Sequence, residues 1–86
     1  MKFEFDKRKS ESNKRKHGID FVEAQALWDD PDRIEVPAKT LVEKRSVLTR
    51  RIQDTHWSAV FTIRKDRTRI ISVRCARKQE VEEYES

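Results

Sequence analysis

The stretch that decides the fold is WSAVFTIRKDRTRIISVRCARK, residues 57–78, which predicts two β-strands joined by a short turn. Apolar and polar residues alternate along both halves, as in strands that bury one face. Arginine interrupts the alternation: between Arg64 and Lys78 there are seven Lys or Arg residues and one acid, Asp66. Because arginine is costly to bury, an arginine in such a pattern usually lies at a solvated edge or faces an anion. The stretch therefore predicts a hairpin with a phosphate-binding side.

The apolar residues of the two strands predict the register of this hairpin. Directly opposed residues of an antiparallel pair share one face of the sheet. Matching the apolar sets places Phe61 opposite Val73 and Ile63 opposite Ile71. That register requires a connection with an odd number of residues, for which three residues at 66–68 are suitable.

The other face of the predicted hairpin carries the candidate phosphate ligands. Arg64 and Arg74 share this face, with backbones about 13 Å apart at about 3.3 Å per residue. Their guanidinium groups can each bind a phosphate through two parallel hydrogen bonds. The hydroxyl of Ser72 lies between them, and we expect Arg69 and Arg77 to be phosphate contacts at the edges.

Capping signals predict two helices in the N-terminal part. After a short strand with Phe3 and Phe5, Asp6 can cap a helix over residues 7–17 that is polar almost all round and ends at Gly18. Asp20-x-x-Glu23 is a variant of the capping box and begins a second helix. The apolar stripe of this second helix comprises Phe21, Ala24, Leu27 and Trp28, and the helix ends at Asp29-Asp30-Pro31.

The remaining segments complete an α+β architecture. Ile34 and Val36 predict a short edge strand before Pro37, residues 38–44 a loop, residues 45–54 a strand, and residues 54–56 a turn. Residues 78–84 predict a short C-terminal helix. The expected fold is one small domain over residues 1–86, with an antiparallel sheet packed against two N-terminal helices.

Composition limits the classes of function. Of the 86 residues, 35% are hydrophobic and 42% are charged, and the net charge is +4, which favours nucleic acid or an acidic protein as partner. The single cysteine, Cys75, excludes an internal disulfide and is expected to be a small core residue in a reducing cytosol. No apolar run approaches the ~20 residues that span a bilayer. We therefore expect a cytoplasmic protein without membrane contact.

Two groups of residues resemble the BrnT family of type II toxin–antitoxin toxins. The first is Met1-Lys2-Phe3-Glu4-Phe5-Asp6, Lys9, Asn13, Lys16-His17-Gly18-Ile19, Phe21, Glu23-Ala24 and Asp30-Pro31. The second is Arg45, Thr62, Arg64, Arg69-Ile70-Ile71-Ser72-x-Arg74-x-Ala76, Glu80 and Tyr84. Two features depart from the family pattern: Thr49-Arg50-Arg51-Ile52 stands where a glycine is usual, and Cys75 stands where a lysine is usual.

The resemblance implies a RelE-like α+β ribonuclease that inhibits translation and growth. It also implies a hetero-oligomer with a BrnA-type ribbon-helix-helix antitoxin, through which the complex binds its own promoter DNA. RNA would be the substrate. The chain has no His/Asp/Glu cluster with the spacing of metal ligands and no glycine-rich phosphate loop, so we expect no metal and no cofactor.

Metal-free RNA cleavage needs a base for the 2′-hydroxyl, cations for the charged phosphorane and an acid for the leaving oxygen. Arg64 and Arg74 are the predicted catalytic cations. His17 is the candidate for proton transfer, since histidine ordinarily titrates near neutral pH, although capping of the first helix explains it equally well.

The remaining candidates have supporting roles. Lys16 is a candidate phosphate contact, and Glu80 and Tyr84 are expected to fix the final helix. His56 is expected to be a surface residue in a turn. Two alternatives stay open, a non-catalytic nucleic-acid-binding module and an adaptor for an acidic protein; most aromatic residues have core assignments, which favours chemistry over base stacking.

Overall fold

The computed structural model describes residues 2–29, 34–38 and 45–85. The expected α+β class is confirmed. The elements are β1 Lys2–Glu4, α1 Lys7–His17, a 3₁₀ helix Glu23–Asp29, β2 Ile34–Ala38, β3 Arg45–Ile52, β4 Thr55–Arg64, β5 Arg67–Cys75 and α2 Lys78–Glu85. Ala38, predicted as the first residue of a loop, is instead the last residue of β2. Residues 39–44 and Asp30-Pro31 lie outside the described residues. Among the described residues, no helix combines the length and apolar character needed to cross a membrane.

The strands form one mixed sheet in the order β1-β5-β4-β3-β2. The pairs β2–β3, β3–β4 and β4–β5 are antiparallel, whereas β1 pairs in parallel with β5. The expectation of a purely antiparallel sheet is therefore wrong at β1. Parallel neighbouring strands require a long crossover connection, and here the chain between β1 and β5 is that connection. Because the two strands are so far apart in the sequence, no local pattern predicts their pairing.

The connection and register of the β4–β5 hairpin differ from the prediction. The turn consists of two residues, Lys65 and Asp66, both with left-handed φ of 47° and 67°. This is the geometry of the type I′ hairpin turn, whose twist matches that of the flanking strands. The prediction of a three-residue connection is wrong.

A β-bulge restores the match of apolar residues that an even-numbered turn would otherwise break. Phe61 pairs with Ile70, and beyond a shift at Val60/Phe61, Ala59 pairs with Val73. The residue left over is Ile71, on β5. A bulge places two residues of one strand opposite one of its partner, so both ends of the hairpin keep their apolar side on the core.

The turn between β3 and β4 also lies earlier than predicted. Strand β3 ends at Ile52 rather than at Asp54, and β4 begins at Thr55. Gln53 adopts a left-handed φ of 56° in the intervening two-residue turn. As a result His56 lies within β4 and not in a turn.

The core lies between one face of the sheet and the segment that contains the 3₁₀ helix. Trp28 is central, with ring centroids 5.2 Å from both Phe3 and Phe61 in edge-to-face contacts. The other buried apolar members are Ile19, Phe21, Ala24, Leu27, Leu48, Ala59, Ile70 and Val73. Cys75 is exposed at the end of β5, so its predicted place in the core is wrong.

The predicted capping box is present, although the helix that it begins is a 3₁₀ helix of seven residues. The backbone N–H of Glu23 donates to Asp20 Oδ1 at 2.8 Å, and the N–H of Asp20 donates to Glu23 Oε1 at 3.0 Å. A 3₁₀ run of seven residues is longer than the three or four that are common for this geometry.

Helix α1 is held by polar rather than apolar side chains. Its ends are as predicted: Asp6 accepts from the N–H groups of the first turn, and Gly18 follows with φ of 84°. Its buried residues are Ser10 and Asn13. Asn13 donates to the carbonyl of Ile19 at 2.8 Å and accepts from the N–H of Val73 at 3.1 Å, which fixes α1 beside β5.

Candidate active site

The sheet face opposite the core carries arginines from three neighbouring strands. Paired residues share a face, and the pairs Thr49–Ser58, Ser58–Arg74 and Thr62–Arg69 define the row of residues that points away from the core. We call this side the cationic face. Its arginines are Arg45, Arg51, Arg64, Arg67, Arg69 and Arg74.

Arg64 and Arg74 share the cationic face, as the alternation predicts, but they are farther apart than expected. Arg64 pairs with Arg67, whereas Arg74 pairs with Ser58, six residues from Arg64 along β4. At about 3.3 Å per residue their backbones are about 20 Å apart, not about 13 Å. The two-residue turn causes the difference, because it places Arg67 and not Ile70 opposite Arg64. One phosphate cannot be clamped between the two arginines.

Arg74 is held by a bidentate ion pair with Glu80 of α2. The distances are 2.7 Å from Arg74 Nη1 to Glu80 Oε1 and 2.9 Å from Nη2 to Oε2. Both side chains are partly buried, with 23% and 15% of their surface exposed. The hydrogen bonds that Arg74 donates to Glu80 raise the pKa of Arg74 above its usual value. The arginine is thus fixed in one orientation on the cationic face.

Glu80 is surrounded by hydrogen-bond donors. Besides Arg74, the hydroxyl of Ser58 donates to Oε1 at 2.9 Å and the backbone N–H of Arg77 at 2.8 Å. These bonds, that of Arg74 foremost, lower the pKa of Glu80 from 4.5 to about 2. A carboxylate with so low a pKa is a poor proton acceptor near neutral pH, so its chemistry suits holding Arg74 rather than abstracting a proton.

His56 forms a second link between the cationic face and α2. Its Nε2 lies 2.8 Å from Glu85 Oε1, and its ring meets that of Tyr84 edge to face with centroids 5.7 Å apart. The His56 side chain is 21% exposed. His56 thus lies in β4 with a partly exposed side chain, and the expectation that it lies in a turn is wrong. A placement of the β3–β4 turn at residues 53–54 would have put His56 on the same face as Ser58.

Helix α2 covers only one end of the cationic face. Four of its eight residues are glutamates, and none of its residues is buried. Beneath it, Ser58 and Thr49 are buried and joined by a hydroxyl–hydroxyl hydrogen bond of 2.8 Å. Acidic side chains of α2 therefore pair with His56 and Arg74 at this end.

The opposite end of the cationic face forms an open basic cleft beside the β4–β5 turn. The cleft has a volume of about 550 Å³ and is lined by Glu4, Arg64, Lys65 and Arg67. Arg69 lies nearby, with Nη1 3.9 Å from Glu4 Oε1. Three cations and one carboxylate suit this cleft to an anionic ligand.

Three other predicted site residues lie on β5 and at the end of α1. Ser72 is half-buried on the cationic face opposite Val60. Lys16 and His17 are exposed at the C-terminal end of α1. The hydrogen bond from the Val73 N–H to Asn13 places the second half of α1 beside β5.

A family model of the "Ribonuclease toxin, BrnT, of type II toxin-antitoxin system" matches residues 5–80 of the chain. The chain belongs to the BrnT family. No curated protein matches the chain. Membership makes this chain a ribonuclease toxin with RNA as its target and an antitoxin as its partner.

Two residues that the chain shares with the BrnT pattern stabilise the fold. Asn13 forms buried hydrogen bonds that link α1 to Ile19 and Val73. Gly18 ends α1 in the left-handed conformation. Arg74 and Glu80 lie within the match, whereas Glu85 lies beyond it. Among the described residues, no group of three or more His, Cys, Asp or Glu side chains is placed to hold a metal ion.

Proposed function

We propose that this BrnT-family toxin is a RelE-like endoribonuclease that cleaves RNA without a metal ion on its cationic face. The observation that carries the proposal is Arg74, fixed by Glu80 on a sheet face that bears five further arginines. RNA would lie along this face from α2 to the basic cleft. A path of about 20 Å offers contacts to several phosphates rather than to one.

Arg74 is the proposed catalytic cation. In cleavage by the ribose 2′-hydroxyl, negative charge accumulates on the phosphate oxygens, and preorganised donors stabilise it most effectively. The guanidinium has five N–H donors, and two of its nitrogens bond Glu80, so donors remain for a phosphate oxygen. Glu80 is the proposed positioning residue, since its low pKa keeps it charged under all physiological conditions.

Residues farther from Arg74 are proposed to hold the RNA. Arg64, with Lys65 and Arg67, would bind phosphates in the basic cleft. Ser72, Arg69 and Arg77 remain proposed phosphate contacts on or beside the same face, and Lys16 at the end of α1. This arrangement assigns Arg64 to binding, because it lies about 20 Å from Arg74.

The antitoxin is proposed to be a BrnA-like ribbon-helix-helix protein that covers the cationic face in a cytoplasmic hetero-oligomer. Promoter DNA would be bound through the antitoxin. The net charge of +4 supports an acidic segment as the covering element. Induction of the toxin alone should arrest translation and growth, and co-expression of the antitoxin should restore both.

Incubation of the purified chain with an RNA transcript, with and without EDTA, tests the proposal. Expected products end in 2′,3′-cyclic phosphate and 5′-hydroxyl groups, and EDTA should leave the rate unchanged. Arg74→Lys should lower kcat about 10²-fold, because a lysine cannot reproduce the bidentate geometry. Arg8→Ala, on the first turn of α1, is the matched control and should retain activity.

Three results would contradict the proposal. Loss of activity in EDTA with recovery on adding Mg²⁺ would refute metal independence. Full activity of Arg74→Lys would refute the site. RNA binding without any cleavage by the wild-type chain would favour the non-catalytic binding module.

A further inference from the structure

His56 occupies a position for proton transfer that the family signature does not assign. It is half-buried on the cationic face, held by Glu85 and packed against Tyr84. We infer that His56 is the general base that takes the proton from the ribose 2′-hydroxyl, with Glu85 as its positioning residue. This inference rests on the proposed RNA cleavage and names a further residue of the same site.

The His56–Glu85 pair lies next to the Arg74–Glu80 pair, because both join the sheet to α2. On β4, His56 is two residues from Ser58, the partner of Arg74, which is about 7 Å along the strand. On α2, Glu85 is five residues from Glu80, about 7.5 Å along the helix. The His56–Glu85 and Arg74–Glu80 pairs therefore form two neighbouring links between the sheet and α2, about 7 Å apart along the strand.

The hydrogen bond to Glu85 decides which ring nitrogen is available. A carboxylate oxygen accepts, so Nε2 carries the proton and Nδ1 presents its lone pair. The groups that face His56 are Tyr84 and Glu85 from α2, Arg51 opposite it on β3, and Arg74 from β5. The neighbouring N–H of Ala76 donates to the His56 carbonyl at 2.9 Å, which fixes the backbone below the ring.

The proposed step balances without any co-reactant. His56 Nδ1 takes the 2′-hydroxyl proton as the 2′-oxygen forms a bond to phosphorus. The bond from phosphorus to the 5′-oxygen breaks, and that oxygen takes a proton from water. The imidazolium then returns its proton to the solvent, so the products are a 2′,3′-cyclic phosphate and a 5′-hydroxyl.

Other candidates for the base are less suitable. Glu80 accepts bonds from Arg74, Ser58 and the N–H of Arg77, and its pKa of about 2 makes it a weak base. His17 is exposed at the end of α1, whereas His56 is already oriented by a carboxylate. Pre-orientation of the reacting group removes a large entropic part of the barrier.

Steady-state cleavage of an RNA transcript across the neutral pH range tests the inference. His56→Gln keeps a hydrogen bond to Glu85 but cannot exchange a proton, so kcat should fall at least 10²-fold with KM changed less than about threefold. Because a protonated general base is inactive, wild-type kcat should fall towards acidic pH, and this fall should be absent in His56→Gln. His56→Ala should be partly rescued by added imidazole, a response that a structural role would not produce.

Glu85→Gln provides a second variant that leaves the ring in place. We expect it to lower kcat about 10-fold through loss of orientation. Its matched control, Glu82→Gln, removes an exposed charge of the same helix and should leave kcat unchanged.

Several outcomes would overturn the inference. They are a His56→Gln variant with kcat within threefold of wild type, His56→Ala activity that imidazole does not raise, and loss of the acidic dependence in His17→Gln instead. In each of these cases wild-type cleavage and the Arg74 dependence would persist, so the proposed function would stand. Absence of cleavage by the wild-type chain would instead refute the proposed function itself.

Discussion

Replacement of Glu80 by glutamine tests how strongly the Arg74–Glu80 pair fixes α2 to the sheet. The substitution keeps the size of the side chain but removes the charge that accepts bonds from Arg74, Ser58 and Arg77. The lowering of the Glu80 pKa from 4.5 to about 2 corresponds to at most about 3 kcal/mol in the free energy of unfolding. Screening by solvent at this partly exposed position reduces the expected loss to about 1–2 kcal/mol.

The pH dependence of this loss has a defined sign. The pKa of Glu80 is lower in the folded chain than in the unfolded chain, so its contribution is complete above about pH 4.5 and is lost as the pH falls towards 2. Glu80→Gln should therefore be less stable than wild type near pH 7, and this difference should be nearly lost near pH 2. The difference between the two proteins should shrink across that interval.

Urea unfolding followed by tryptophan fluorescence measures this difference directly, because Trp28 and Trp57 pack in or against the core. Glu82→Gln is the control, since it removes an exposed charge from the same helix. An equal loss of stability near pH 7 and near pH 2 would show that shape, not charge, holds α2. Stability unchanged from wild type near neutral pH would refute the reasoning altogether.

Three further substitutions test the local structure by urea or thermal unfolding. Gly18→Ala should cost about 1 kcal/mol, because a side chain is strained at φ of 84° although nothing lies within 4 Å; an unchanged midpoint would contradict this. Asn13→Ala should cost about 2–3 kcal/mol, since it leaves two buried backbone groups unpaired, and a loss below 0.5 kcal/mol would count against the bridge. Asp66→Gly should raise Tm by about 2–4 °C, because glycine relieves the left-handed φ of 67°, and a lower Tm would refute the turn assignment.

The candidate site could be predicted only in part from the sequence. The alternation along β4 and β5 predicted Arg64 and Arg74 on one face, and the structure agrees because the bulge at Ile71 compensates for the shorter turn. Their separation was wrong, since it depended on the length of a turn and on the bulge at Ile71. His56 was missed for a related reason. The predicted β4 began two residues too late, at Trp57, so His56 was assigned to the preceding turn.

The sequence by itself determined both ends of α1, the presence and order of the strands, and the family. Asp6, Gly18 and the Asp20–Glu23 pair act on backbone groups within a few residues, so their effect can be recognised without knowing the fold.

Only the tertiary structure decided the partners of the charged groups. The parallel pairing of β1 with β5, the Arg74–Glu80 pair and the His56–Glu85 pair join segments that approach each other only in the folded chain. Contacts of this kind leave no periodic signal in a sequence. A charged residue that faces a partner and one that faces solvent both appear as a polar position in the same pattern.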